Sequence, residues 1–306
     1  MSESNEMWRR VGSNAPRHAL ECNLYPRVPD ARVRAAMAAF YKSNEGYALQ
    51  QASHTAAYFH RLLGVMDAVL EQPQLSLLEI GAGSAIGMRS FLDTHTDATA
   101  VAMELSPPSI GVARHVSPPS LRAVAGDALD LPFRDRSVDA VIAFEVLEHL
   151  PDVARALVEM LRVVRRPGYI IIGLPNHASL WTPIEDRLRR RNRRAFGVER
   201  GRGAWRWFKR NAGLAWRKRV SSGAEFLYRE PILHETAGGD ADAVYYAAPL
   251  DLLRFFRGRR AALVTSSARL RLGWAGRFLP VEFQGSIVMA WRVTDGTLSG
   301  SSVDRA

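Results

Sequence analysis

Leu77 to Gly87 reads Leu-Leu-Glu-Ile-Gly-Ala-Gly-Ser-Ala-Ile-Gly, and no other stretch narrows the fold as far. An apolar run ends in two glycines one residue apart, and a helix-compatible segment follows. A buried parallel strand turns sharply into a helix in this way while leaving its backbone open to a ligand. Gly81 and Gly83 lack a Cβ, so the main chain there can take dihedrals that other residues avoid and can be approached closely. The start of the following helix offers unpaired N–H groups and the positive end of a dipole, suited to a carboxylate or a phosphate.

The residues around this turn alternate. Strands are expected at Leu75–Ile80, Ala98–Glu104, Leu121–Ala125, Val138–Ala143 and Tyr169–Leu174, the last Ile-rich and central. Helices are expected at Ile86–Asp93, at Pro108–His115 behind Ser106 and Pro107, and at Asp152–Val164 behind Pro151. Strict alternation implies right-handed crossovers and a parallel sheet with helices on both faces, and ligands bind such sheets outside the carboxyl ends of the strands. Upstream, Asp30 can cap a helix carrying Val33, Met37, Ala38, Phe40 and Tyr41, and one longer helix is expected from Tyr47 to Leu70, ended by Pro73. His54 and His60 in that region read as surface or satisfied core histidines. After Leu174 the alternation breaks for about seventy residues, until a helix at Pro249–Phe256 and strands at Ala261–Ser266 and Ser286–Val293 close the chain. Residues up to Pro29 read as a loosely ordered arm and those from Thr294 as a frayed tail.

Three patterns at the strand ends point to one ligand. Glu79-Ile-Gly81-Ala82-Gly83 closes the first strand, Glu104-Leu105 closes the second, and Gly126-Asp127-Ala128 follows the third. Glu104, 23 residues after Gly81, sits where a carboxylate can accept hydrogen bonds from both hydroxyls of a ribose. Asp127 could accept an exocyclic amino proton from adenine. A dinucleotide competes for the turn, but its fingerprint wants a small residue at the sixth place, which Ile86 occupies, and Glu79 would repel a pyrophosphate while attracting an ammonium. A ribose, an adenine and an amino acid end together describe S-adenosylmethionine.

The segments LLEIGAGSAIG, AVAMELSPPSI, AGDALDLPFRDRSVDAVIAFEVLEHL and LRVVRRPGYIIIGLPN, between Leu77 and Asn176, resemble the catalytic core of class I S-adenosylmethionine-dependent methyltransferases, in particular the methyltransferase-11 and ubiquinone O-methyltransferase-like group. The resemblance implies a Rossmann-like α/β fold with a seven-stranded, mostly parallel sheet, helices on both faces and the last strand antiparallel. It also implies that Glu79, Gly81, Ala82 and Gly83 hold the methionine end, Glu104 and Leu105 the ribose, and Asp127 with Ala128 the adenine. Phe144 and Glu145 would line the cofactor near its sulfonium. Ala85 departs from the pattern, standing where the family usually has a third glycine. The resembling part is about a third of the chain, and the function it implies is methyl transfer to a small-molecule, glycan or lipid-linked acceptor, with a hydroxyl the leading choice.

Glu145-Val-Leu-Glu148-His149 has three readings. His149 is a candidate general base for an attacking hydroxyl; alternatively the run only shapes the pocket and starts the next helix. A similar Glu-x-x-Glu-His occurs in small-RNA terminal 2′-O-methyltransferases as part of a divalent-metal site, which would need His177 or His234 as a further ligand. No metal is expected as the leading reading. A cofactor-binding partner subunit without turnover is the non-enzymatic alternative.

The formal charge of +10 is confined to one segment. Trp181 to Val220 holds 14 Lys plus Arg against 3 acids, an excess of +11, so the other 266 residues sum to about −1. A uniformly basic nucleic-acid binder is thereby disfavoured. Thr182-Pro183-Ile184-Glu185 is a capping box, and a second helix is expected over Ala204–Lys218 with Trp205, Phe208, Ala212, Ala215 and Trp216 on its apolar face. This basic helical insertion reads as a lid, as a peripheral contact with anionic membrane through 181–220, or as an RNA platform, in that order. The expected organisation is an N-terminal arm and helices (1–73), a cofactor-binding core (74–176), the basic insertion (177–248) and the end of the core with a tail (249–306). The single cysteine, Cys22, and the lack of any long apolar run suggest a cytoplasmic protein, peripheral at most to the inner membrane surface.

Overall fold

The computed structural model describes residues 24–181, 202–233 and 241–295. Residues 1–23 of the arm, with Cys22, the capping-box helix expected from Thr182, His234 and the tail from residue 296 lie outside them, whereas the described end of the arm is tied down, Tyr25 and Tyr228 each donating an N–H to the other's carbonyl at 2.8 Å. Seven strands form one sheet: β1 (Ser76–Ile80), β2 (Thr99–Glu104), β3 (Leu121–Ala125), β4 (Val138–Phe144), β5 (Val164–Pro175), β6 (Ala261–Ser266) and β7 (Ser286–Val293). Their order is β3-β2-β1-β4-β5-β7-β6. β1 to β5 pair in parallel, and β7 runs antiparallel to both β5 and β6. The order reverses between β1 and β4, which opens a crevice at their carboxyl ends.

The helices are α1 (Ala31–Ser43), α2 (Glu45–Ala52), α3 (His60–Asp67), α4 (Ile86–Leu92), α5 (Pro107–Val116), α6 (Val153–Val163), α7 (Arg202–Val220), α8 (Pro249–Phe256) and α9 (Ser267–Leu272). Successive strand residues serve opposite cores. Leu78, Ile80, Val141, Ala143, Ile170 and Ile172 pack with Leu157 and Met160 of α6 and Phe256 of α8. Leu77, Ala140, Ile142 and Ile171 pack with Leu62 and Met66 of α3 and Met88 and Phe91 of α4. Burial on both faces is why these strands read as continuous apolar runs. No helix among the described residues is long and apolar enough to cross a membrane.

Three expectations are corrected. The helix expected over 47–70 is broken at Ser53-His54-Thr55 into α2, a 3₁₀ turn at Ala56–Phe59 and α3; the break turns Tyr58 and Phe59 toward Phe144, with ring centroids 5.7 and 5.5 Å away. β5 starts at Val164 rather than Tyr169: Val164 pairs with Val138, and a register irregularity between Val138 and Ala140 takes up Arg165 to Gly168 before Tyr169 pairs with Ala140. The largest change is on α7. Its buried face is Trp207, Asn211, Ala215 and Lys218, whereas Trp205 and Trp216 are 59% and 70% exposed. Polar anchors decide this. Asn211 donates to the carbonyls of His177 and Ser179 at 3.2 and 3.1 Å, and Lys218 Nζ meets both oxygens of Asp251 at 2.7 Å.

Candidate active site

A cavity of about 580 Å³ lies at the carboxyl ends of β1, β2 and β4, well within the ~300–1,000 Å³ usual for small-molecule sites. Glu79, Gly81, Ala82, Glu104, Leu105, Asp127, Ala128, Phe144, Glu145 and His149 all line it. Gly83 is the one residue of the expected set outside the lining, and its N–H donates to Glu104 Oε2 at 3.0 Å.

The turn after β1 depends on its glycines. Gly81 has φ +65°, and a Cβ there would stand 2.2 Å from Val146 Cγ2. Gly83 has φ +54°. Ala85 adopts the left-handed conformation at φ +57°, ψ 23°, directly before α4, so the glycine it replaces would be conformationally easier here. The departure therefore leaves the backbone path intact and strains it by about 1 kcal/mol.

Glu79 is buried, and its Oε2 has no hydrogen-bond partner among the described residues. Burial, then the charge of Glu104, pushes its carboxyl up to about 8. A buried acceptor without a donor is costly unless a ligand satisfies it. An ammonium group does so. Glu104 bridges the two strand ends: Oε1 accepts the N–H groups of Leu105 and Ser106 at 2.7 and 3.0 Å, and Oε2 accepts Gly83. Those bonds orient the carboxylate and leave lone-pair capacity for a hydroxyl. Asp127 accepts the Leu129 N–H through Oδ1 at 2.9 Å, which fixes an Asx turn beside the buried Ala128. The residues present thus fit an adenosyl group with an amino acid end.

The other side of the cavity is aromatic. Phe144 is held close to β5 because Gly173 has no Cβ, which would lie 2.4 Å from the ring. His54 stacks on Tyr58 with centroids 4.1 Å apart, and burial lowers its pKa. It lines the cavity. Glu145 sits at φ +53°, uncommon for a residue with a side chain, and its N–H donates to Gly173 O at 2.9 Å.

His149 is part of a constellation that its own motif does not contain. Its Nδ1 lies 3.2 Å from Asp242 Oδ2 and 3.1 Å from the Tyr41 hydroxyl, which itself donates to Asp242 at 2.7 Å. Burial acts to raise the Asp242 carboxyl, but the charge of His149 and the hydrogen bonds from His149 and Tyr41 outweigh it and hold the carboxyl below its usual value. Asp242 is delivered by the strand-like segment that follows it: Glu148 O accepts the N–H groups of both Val244 and Tyr245, and Arg229 Nε donates to Ala243 O. Tyr41 reads in the sequence as one more apolar residue of α1, and Asp242 lies in a Gly-Gly-Asp-Ala-Asp run with no motif. Neither carries a local signal. Among the described residues no three His, Cys, Asp or Glu side chains come together in a metal-binding arrangement; His177 instead accepts the Ala247 N–H through Nδ1 at 3.2 Å.

Residues 78–172 match the family model described as a methyltransferase domain. The demethylmenaquinone methyltransferase of Renibacterium salmoninarum is 33% identical over 115 residues, 38% of this chain and 47% of the relative. The chloroplastic tocopherol O-methyltransferase of Arabidopsis thaliana is 29% identical over 153 residues, 46% of this chain and 43% of the relative. The chain thus spans less than half the length of these curated relatives. Two solved structures share the fold: a chain of the complex between the Haloferax volcanii Trm112 methyltransferase activator and a methyltransferase (TM-score 0.53, 12% identity, 83% of this chain and 98% of that one), and an S-adenosylmethionine-dependent methyltransferase from Listeria monocytogenes (TM-score 0.51, 10% identity, 78% and 99%). Residues 78–172 therefore form a methyltransferase domain of the class I S-adenosylmethionine-dependent family, and S-adenosylmethionine is the cofactor its cavity serves.

Proposed function

We propose that this chain transfers a methyl group to the hydroxyl of a quinone-like or phenolic small molecule, with His149 as the general base. The observation that carries the reading is the His149–Asp242–Tyr41 arrangement in the cavity wall. Asp242 accepts the Nδ1 proton of His149, which fixes the tautomer and makes Nε2, 3.9 Å from Glu148 Oε1, the unprotonated nitrogen of the ring. Nε2 takes the proton of the acceptor hydroxyl, and the Asp242 carboxylate stabilises the imidazolium that results. S-adenosylmethionine, when bound, supplies a methyl carbon activated by a positive sulfur. Glu79 offers its unpaired Oε2 to the ammonium group, Glu104 and Asp127 orient the nucleoside, and Tyr58, Phe59 and Phe144 exclude water and present ring faces to a flat acceptor. Relatives named for demethylmenaquinone and for tocopherol support a quinone-like or phenolic acceptor, and the second of them is named for O-methylation.

The test is transfer of labelled methyl from S-adenosylmethionine into fractions of a cell extract, followed by hydriodic acid cleavage of the labelled product. Label released as methyl iodide identifies an O-methyl ether. His149→Gln and Asp242→Asn should each slow transfer by about 10²-fold or more while binding the cofactor as the wild type does. Label retained on carbon, or cofactor binding with no transfer into any fraction, would refute the proposal.

A further inference from the structure

The chain leaving β6 makes a knuckle that the cofactor cavity does not use. Ser267 to Phe283 consists of α9, a 3₁₀ turn at Gly273–Arg277 and another at Val281–Phe283. Its large apolar side chains stand outward: Leu270 is 48% exposed, Leu272 42%, Trp274 78%, Phe278 74% and Phe283 43%. Scattered exposed apolar residues need no explanation, but a contiguous patch does. Here the two most exposed rings, Trp274 and Phe278, meet edge to face with centroids 6.0 Å apart. Leu270 and Phe283 share with Leu279 and the half-exposed Trp181 the wall of a second cavity of about 710 Å³, so the patch continues into a groove.

Charge identifies the occupant. Between Ser267 and Val281 the sequence holds Arg269, Arg271 and Arg277 and no acid. The next acid, Glu282, is buried and paired with Arg219 of α7. A second copy docked about a two-fold axis would set Arg271 and its neighbours against the same residues of the other chain, like charge on like charge. Residues 182–201 of this chain, with seven arginines against three acids, carry the same sign. An anionic lipid surface is complementary on both counts, taking up the rings and leucines at the acyl boundary and the guanidiniums at the phosphates.

We propose that Ser267–Phe283 is a membrane-docking surface that inserts Trp274, Phe278 and the adjoining leucines into the headgroup boundary of an anionic bilayer. It moves the principal contact away from the 181–220 segment. The Arg219–Glu282 pair sets the last turn of α7 beside the knuckle. The surface is independent of which acceptor the cavity takes, and it would hold that cavity near amphiphilic molecules.

Sedimentation of the full chain with vesicles tests this. The wild type should pellet with equimolar phosphatidylcholine and phosphatidylglycerol but not with phosphatidylcholine alone, its tryptophan emission should shift to the blue, and added salt should weaken the binding. Trp274→Ser with Phe278→Ser should lower partitioning by about tenfold for each ring removed. Both side chains are exposed, so the melting temperature and cofactor affinity should be those of the wild type. Failure of the wild type to pellet on anionic vesicles would overturn the proposal. So would retention of binding by this double variant when Trp205→Ser with Trp216→Ser loses it, which would assign the contact to α7. A wild-type dimer that the Trp274/Phe278 double variant converts to monomer would show instead that the surface covers a second copy.

Discussion

Glu79 links folding, pH and cofactor binding in one side chain. It is 3% exposed, and burial followed by the charge of Glu104 raises its carboxyl from 4.5 to about 8. Between those two values the folded protein keeps a proton that the unfolded chain has released, so stability falls as pH rises through that window and levels off above it. From pH 4.5 to 7 the loss is about 3 kcal/mol at 1.36 kcal/mol per unit. Glu79→Gln keeps the shape and removes the titration. Urea unfolding without cofactor, at about pH 5, 7 and 9, should show the wild type losing stability relative to the variant, most of it between the first two values. Cofactor binding runs the other way: the ammonium wants a carboxylate, so wild-type affinity should improve with pH by up to about tenfold per unit until about pH 8, and the variant should bind weakly without that slope. Parallel pH dependences in wild type and variant, for both unfolding and binding, would refute the reasoning.

Gly81→Ala should abolish cofactor binding through the 2.2 Å approach of its Cβ to Val146, and Val146→Ala should restore part of it, as equilibrium titration of the pair would show. Lys218→Met should destabilise the fold by about 3–5 kcal/mol, because Asp251 then remains buried without its cation, keeping the Tyr245 hydroxyl at 2.9 Å and the Glu225 backbone as neutral partners; adding Asp251→Leu should recover most of this in urea unfolding. Ala85→Gly relieves a left-handed alanine but frees the unfolded chain, so its net effect on stability should stay within about 0.5 kcal/mol. Ala85→Val should cost more than 1 kcal/mol, about the left-handed penalty of an L-residue with β-branching added.

The parts of the site legible in the sequence are those that topology fixes locally. A glycine turn after β1 and carboxylates after β2 and β3 must lie together once the strands are parallel and adjacent, so strand periodicity places Glu79, Glu104 and Asp127 at one edge, while the part of the cofactor each would hold is what the motif spacing and the family resemblance imply. What was not legible depends on distant segments or on buried polarity. Asp242 reaches His149 only because the Glu148 carbonyl captures the N–H groups of Val244 and Tyr245, and nothing in its own neighbourhood announces that contact. The face of α7 differs from its expectation for a related reason: hydrophobic periodicity places Trp205 and Trp216 inward, whereas Asn211 and Lys218 find buried partners that outweigh two indoles. The break at Ser53-His54-Thr55 leaves the helical spacing of apolar residues intact on both sides, so periodicity alone cannot show it.

Equilibrium titration of S-adenosylmethionine against the wild-type chain and Glu104→Ala tests the central claim most directly. Saturable binding at one site per chain, lost in the variant that removes the bridge between Gly83 and Leu105-Ser106, is the predicted result. Absence of binding to the wild type, or equal binding by both proteins, would contradict the assignment of the cavity to this cofactor.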